Sequence, residues 1–74
     1  MNYYVQRIHK GRHSSFGYVN GADDLLRLAN IGAQASESIR EAFDQASAEG
    51  EPVRVAYADG LSFEIESLRE REGN

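Results

Sequence analysis

His9 and His13, four residues apart and set among Lys10 and Arg12, are the only imidazoles in the chain and the first place to look for chemistry. On a helix that spacing would put both rings on one face, where they could hold a metal ion. Gly11 and the Ser14-Ser15 pair argue for a loop instead, and the sequence offers no third ligand. Two histidines can also cleave RNA by trading protons with a phosphodiester, provided that a cation such as Lys10 or Arg12 steadies the developing charge. A pair of loop histidines does not specify that reaction. Gly17, Gly21 and Gly32 do not space a phosphate-binding loop, and no serine sits in a nucleophile motif. The residue types point away from an enzyme and call for no metal and no cofactor.

Charge offers two further candidate sites. Arg7, Lys10 and Arg12, with His13 beside them, are interleaved with Tyr3, Tyr4, Phe16 and Tyr18, a pattern in which cations could meet phosphate or an acidic partner while aromatic rings stack on bases. Residues 1–20 contain those three cations and no acid, a formal +3; the rest of the chain sets five arginines against twelve acids, a formal −7, for a net charge of −4. Within the acidic part, Glu37, Glu41 and Asp44 fall at i, i+4 and i+7, which lines them along one helical face. Such a face suits a basic, nucleic-acid-binding protein partner, although the same residues also suit a solvated surface.

These side chains need elements to position them. The firmest is a hairpin near the C-terminal end, in which Val53-Arg54-Val55-Ala56-Tyr57 and Leu61-Ser62-Phe63-Glu64-Ile65 flank Ala58-Asp59-Gly60. A two-residue turn at Asp59-Gly60 in plain register would set Val53, Val55 and Tyr57 against Glu66, Glu64 and Ser62, so the alternation favours a three-residue loop with Gly60 left-handed. The expected pairs are Tyr57 with Leu61, Val55 with Phe63 and Val53 with Ile65, and the same register brings Arg54 opposite Glu64. Upstream, Tyr3–Ile8 reads as a strand, residues 10–15 as a polar turn and Phe16–Val19 as a short returning strand. Asn20 is the expected cap of a helix with Asp23 and Asp24 in its first turn and a stripe of Leu25, Leu28 and Ala29, stopped by Gly32. A second helix runs from Ala33 to Ala48, burying Ala35, Ile39, Ala42, Phe43 and Ala46, until Gly50 and Pro52 end it. The stripe nearly keeps phase across Gly32, which leaves one long helix as the alternative. Residues 69–74 lose apolar periodicity and read as a frayed tail.

The order of elements predicts one α+β domain over residues 1–74: a small antiparallel sheet of three or four strands with one or two helices on one face. A domain of this size buries only about 60% of its unfolded surface, and without cysteine it has no disulfide or thiolate zinc site to staple it. Pairing as a homodimer, or with another protein, would enlarge the core. No apolar run approaches the roughly 20 residues of a membrane span, and the first residues lack the order of a signal peptide, which together predict a cytoplasmic protein without a membrane role.

In its size, acidity, lack of cysteine and expected pattern of a few strands around one or two helices, the chain resembles the small inhibitor proteins that phages encode, including anti-CRISPR proteins. The resemblance is one of size and style over the whole chain, and no functional residue is carried over from it. It implies a stoichiometric, non-enzymatic protein in the host cell cytoplasm that binds a bacterial defence complex and blocks nucleic-acid recognition. On that reading the contact is made by the acidic face of Glu37, Glu41 and Asp44 or by the basic loop of Arg7, Lys10 and Arg12. The alternative is a small nucleic-acid-binding domain using the basic hairpin.

Overall fold

The protein was analysed as a computed structural model, which describes residues 2–68; the tail expected at 69–74 lies outside them. Six elements follow in chain order: β1 (Tyr3–His9), β2 (Arg12–Val19), α1 (Ala22–Ala29), α2 (Ala33–Glu49), β3 (Val53–Ala58) and β4 (Leu61–Ser67). The strands form one antiparallel sheet in the order β2-β1-β4-β3, so the two hairpins lie side by side with β1 and β4 at the centre. α2 packs on β3 and β4, and α1 packs on α2 and β2. The α+β fold is therefore as the element order predicts, with four strands and two helices.

The C-terminal hairpin has the expected register along most of its length: Val53 pairs with Ile65, Arg54 with Glu64, Val55 with Phe63 and Ala56 with Ser62. Only the closing pair differs, because Ala58 and not Tyr57 meets Leu61 and the extra residue is Tyr57. A bulge there lets a two-residue Asp59-Gly60 turn coexist with an apolar inner face. Gly60 is left-handed, at φ 73°, as its position requires. Tyr57 still turns inward, its ring stacked on Phe63 at 4.2 Å between centroids.

The N-terminal hairpin departs further from expectation. In place of a polar turn over residues 10–15, the chain reverses at Lys10 and Gly11 alone, whose φ angles of 53° and 81° are the two positive corners of a type I′ turn. β2 consequently starts at Arg12. It contains a bulge at Phe16, since Val5 pairs with Gly17 while Gln6 pairs with Ser15. Between the hairpins, Lys10 N–H donates to the Gly60 carbonyl at 3.3 Å, tying the two turns together.

α1 begins one residue later than predicted. Its N-cap is Gly21, while Asn20 contributes a backbone N–H that donates to Asp24 Oδ2 at 3.1 Å; the carboxylate near the positive helix end satisfies a donor outside the helix. The helix stops at Asn30, not at Gly32. Asn30 is left-handed (φ 56°, ψ 50°), its N–H donates to the Arg27 carbonyl and Ile31 N–H reaches back to the Leu26 carbonyl at 3.1 Å, the Schellman arrangement. Gly32 is extended and serves as the N-cap of α2. Asparagine tolerates the left-handed region, and this separates two helices from the single long one. Asn30→Ala is expected to cost about 1 kcal/mol and Asn30→Gly to leave stability nearly unchanged, as read from urea midpoints.

The buried cluster comprises Val5 and Val19 from the first hairpin, Phe63 and Ile65 from the second, Leu25 from α1 and Ile39, Ala42, Phe43 and Ala46 from α2. Tyr3 closes it at one end, edge-on to Phe43 at 4.7 Å and with its hydroxyl 3.1 Å from Ser47 Oγ. In α1 the inward stripe is Ala22, Leu25, Leu26 and Ala29, whereas Leu28 is 58% exposed. An eight-residue helix at the margin of the layer has one narrow buried face, and Leu28 falls off it. The sheet face away from the helices stays open, carrying Tyr4, Gln6, His13, Tyr18, Arg54 and Glu64. Ile8 leaves from that same face yet is only 6% exposed, flanked in register by His13 and Ser62.

Candidate functional site

The register of the first hairpin decides what its polar side chains can do together. His9 pairs with Arg12 and Arg7 with Ser14, while His13 pairs with Ile8. Side chains alternate across a strand, and Arg7 faces the core side, its guanidinium carbon 5.4 Å from the Phe16 centroid and 6.0 Å from that of Phe63. His9, Arg12 and Ser14 therefore project on the helix side, and His13 on the open side. There His13 Nδ1 lies 2.9 Å from Gln6 Oε1. The two imidazoles sit on strands and leave from opposite faces of the sheet, meeting only at its edge, where both border one shallow cavity. Among the described residues no three His, Cys, Asp or Glu side chains cluster for a metal.

The set Arg7, Lys10 and Arg12 is likewise regrouped. Lys10 alone occupies the turn; Arg7 and Arg12 lie on neighbouring strands, on one face. Arg7 is half-buried, and among the described residues its Nε has no hydrogen-bond acceptor. Its guanidinium lies over the faces of two aromatic rings, and none of the described ion pairs includes it. The aromatics divide too. Tyr3 and Phe16 turn to the core side, and Tyr4 and Tyr18 form a tilted pair on the open face with centroids 5.0 Å apart, Tyr4 donating to Ser15 Oγ at 2.9 Å. No stretch of the hairpin presents all the cations and all the rings to a single ligand.

Glu37, Glu41 and Asp44 are where helical periodicity puts them. All three are exposed on α2, opposite the buried side defined by Ile39, Ala42, Phe43 and Ala46. The described cations of the acidic part are engaged elsewhere: Arg40 with Asp23 at 2.6 Å, Arg27 with Asp24 at 2.6 Å and Arg54 with Glu64 at 3.2 Å. These are solvent-exposed pairs, each contributing at most about 1 kcal/mol. Their consequence is electrostatic. They neutralise the acids of α1 and, on the open sheet face, Glu64, and among the described residues none of them involves Glu37, Glu41 or Asp44.

A groove of about 380 Å³ lies between the α1–α2 corner and the second hairpin, lined by Ala29, Ile31, Ala35 and Tyr57 among others. A shallow cavity of about 490 Å³ opens beside His9, Arg12, His13 and Ser14. Sequence reasoning named the basic residues of this second place but not their grouping, which only the two-residue turn creates. Among the described residues no helix is long and apolar enough to cross a membrane. No family model, curated protein or solved structure matches the chain. Functional reasoning therefore rests on the side chains themselves.

Proposed function

We propose that this chain is a non-enzymatic protein-binding module that inhibits a bacterial nucleic-acid-targeting complex in the manner of an anti-CRISPR protein, by laying the outer face of α2 in a cationic channel. The observation that supports this reading is the row Glu37, Glu41 and Asp44, outside every ion pair among the described residues, on a helix whose opposite side is fixed by Ile39 and Phe43, 0% and 4% exposed. At 1.5 Å of rise per residue the three carboxylates stand about 6 Å and about 4.5 Å apart along the axis. The order of that spacing resembles a run of phosphates. Fixed charges on a rigid support need little ordering on binding, and a single-sign surface steers encounter with an oppositely charged partner.

The test is inhibition of target-DNA binding by a purified RNA-guided surveillance complex, read by gel shift, with wild-type protein and the triple variant Glu37→Lys, Glu41→Lys, Asp44→Lys. Wild-type protein is expected to abolish the shifted band at a stoichiometric ratio. The variant is expected to need at least tenfold more protein while its circular dichroism is unchanged, because exposed helix positions tolerate lysine. Equal inhibition by the variant removes this surface from the mechanism.

A further inference from the structure

The first hairpin places Arg7, His9, Arg12 and Ser14 at the corners of one cross-strand rectangle, Arg7 opposite Ser14 and His9 opposite Arg12, on the helix side of the sheet. Directly opposite side chains have Cβ atoms about 5 Å apart, a span that an oxyanion can bridge. His9, Arg12 and Ser14 are exposed, so α1 leaves this end of the hairpin uncovered. The described ion pairs use Arg27, Arg40 and Arg54, leaving Arg7 and Arg12 outside them. Arg7 additionally keeps a buried Nε with no acceptor among the described residues. Ser14 spends its hydroxyl on a long 3.5 Å bond to the Arg7 carbonyl, one that a better acceptor would displace. Lys10 stands in the adjoining turn, and the cavity of about 490 Å³ opens at this edge, bordered by His9, Arg12 and Ser14 and, from the other face, by His13.

From this juxtaposition we infer that the hairpin tip is a phosphate-binding shelf: Arg12 and His9 contact the oxyanion, Ser14 donates a hydrogen bond to it, and Arg7, held against the rings of Phe16 and Phe63, supplies charge from beneath. The class of ligand is a phosphate monoester or diester, either a free phosphate or nucleotide or the backbone of a single-stranded nucleic acid. Arginine is suited to it because its planar fork presents parallel N–H groups to two phosphate oxygens. Residues 2–20 contain no acid, and the carboxylate carried by the neighbouring turn is Asp59. This inference is independent of the acidic face of α2, and either can fail while the other stands.

The experiment is a titration of ¹⁵N-labelled protein at low salt, followed by amide shifts, with sodium phosphate, with ADP and with a ten-nucleotide single-stranded DNA, sodium chloride serving as the ionic control. Saturable shifts confined to residues 9–14 are expected. Saturation by phosphate or ADP identifies a small-molecule source, and saturation by the oligonucleotide alone identifies a strand backbone; both uphold the shelf. Arg12→Ala and His9→Ala, at exposed positions where truncation leaves the fold intact, should weaken binding about tenfold and about threefold, while Arg54→Ala on the other face should leave it unchanged. For the oligonucleotide, Arg12→Ala should also flatten the salt dependence by about one unit of slope. Shifts matched by sodium chloride, shifts centred outside residues 9–14, or undiminished binding by Arg12→Ala would overturn the inference.

Discussion

Phe63→Ala is expected to destabilise the protein by about 3–5 kcal/mol, the range for emptying a fully buried aromatic site. Phe63 is 0% exposed on a central strand. Its ring is the common support of three others: Tyr57 stacks on it at 4.2 Å, Phe16 meets it edge-on at 5.5 Å and the Arg7 guanidinium lies 6.0 Å above it. Removing it leaves a cavity and also strips Arg7 of one of its two aromatic neighbours, so a partly buried cation loses compensation. Ordinary domains hold roughly 0.05–0.15 kcal/mol per residue, which for 74 residues is about 4–11 kcal/mol. The variant should therefore be close to unfolded at room temperature. Urea unfolding followed by circular dichroism measures this, and a loss below about 1.5 kcal/mol would show that the second hairpin is not the centre of the fold.

Leu25→Ala should cost about 2–4 kcal/mol, but the loss should be local in character. Leu25 is the one fully buried side chain of α1, and that helix is only eight residues long. A helix so short is not stable by propensity and persists because its apolar face is docked. Its remaining ties are the exposed Arg40–Asp23 pair and the partly buried Ala22, Leu26 and Ala29, which are too weak to hold it. Amide exchange should thus show α1 opening well before the sheet. Uniform acceleration across all elements would instead mean that α1 is an inseparable part of the core.

The sequence was most legible where two independent signals agree. In the second hairpin the apolar alternation and the Arg54–Glu64 pairing both demand one register, and that register is present from Val53 to Ala56. Bulges escape this reasoning, because an extra residue such as Tyr57 breaks the two-residue parity on which the argument depends. β2 was read as half loop for a different reason. Arg12-His13-Ser14-Ser15 has no apolar alternation, and the end of an edge strand that α1 leaves uncovered needs none, since the backbone ladder to β1 suffices. Lys10 at positive φ gives little warning either, the usual residues there being asparagine, aspartate or glycine.

The candidate sites divide along the same line. Glu37, Glu41 and Asp44 were legible because helical periodicity alone fixes which way they face. The grouping of Arg7 with His9, Arg12 and Ser14 depends on the turn length, a single variable that composition does not determine. A loop four residues longer would have taken Arg12 and Ser14 out of the strand and away from their places opposite His9 and Arg7. Asn30 likewise moved a helix boundary by two residues through its tolerance of one backbone conformation.

Both outermost strands of the sheet are interrupted, β2 at Phe16 and β3 at Tyr57. A kinked, unevenly spaced rim is a poor template for a further strand, and it also disfavours the flat stacking from which fibrils grow. The molecule should accordingly remain dispersed at high concentration and resist seeding, so that it can accumulate in a crowded cell without polymerising.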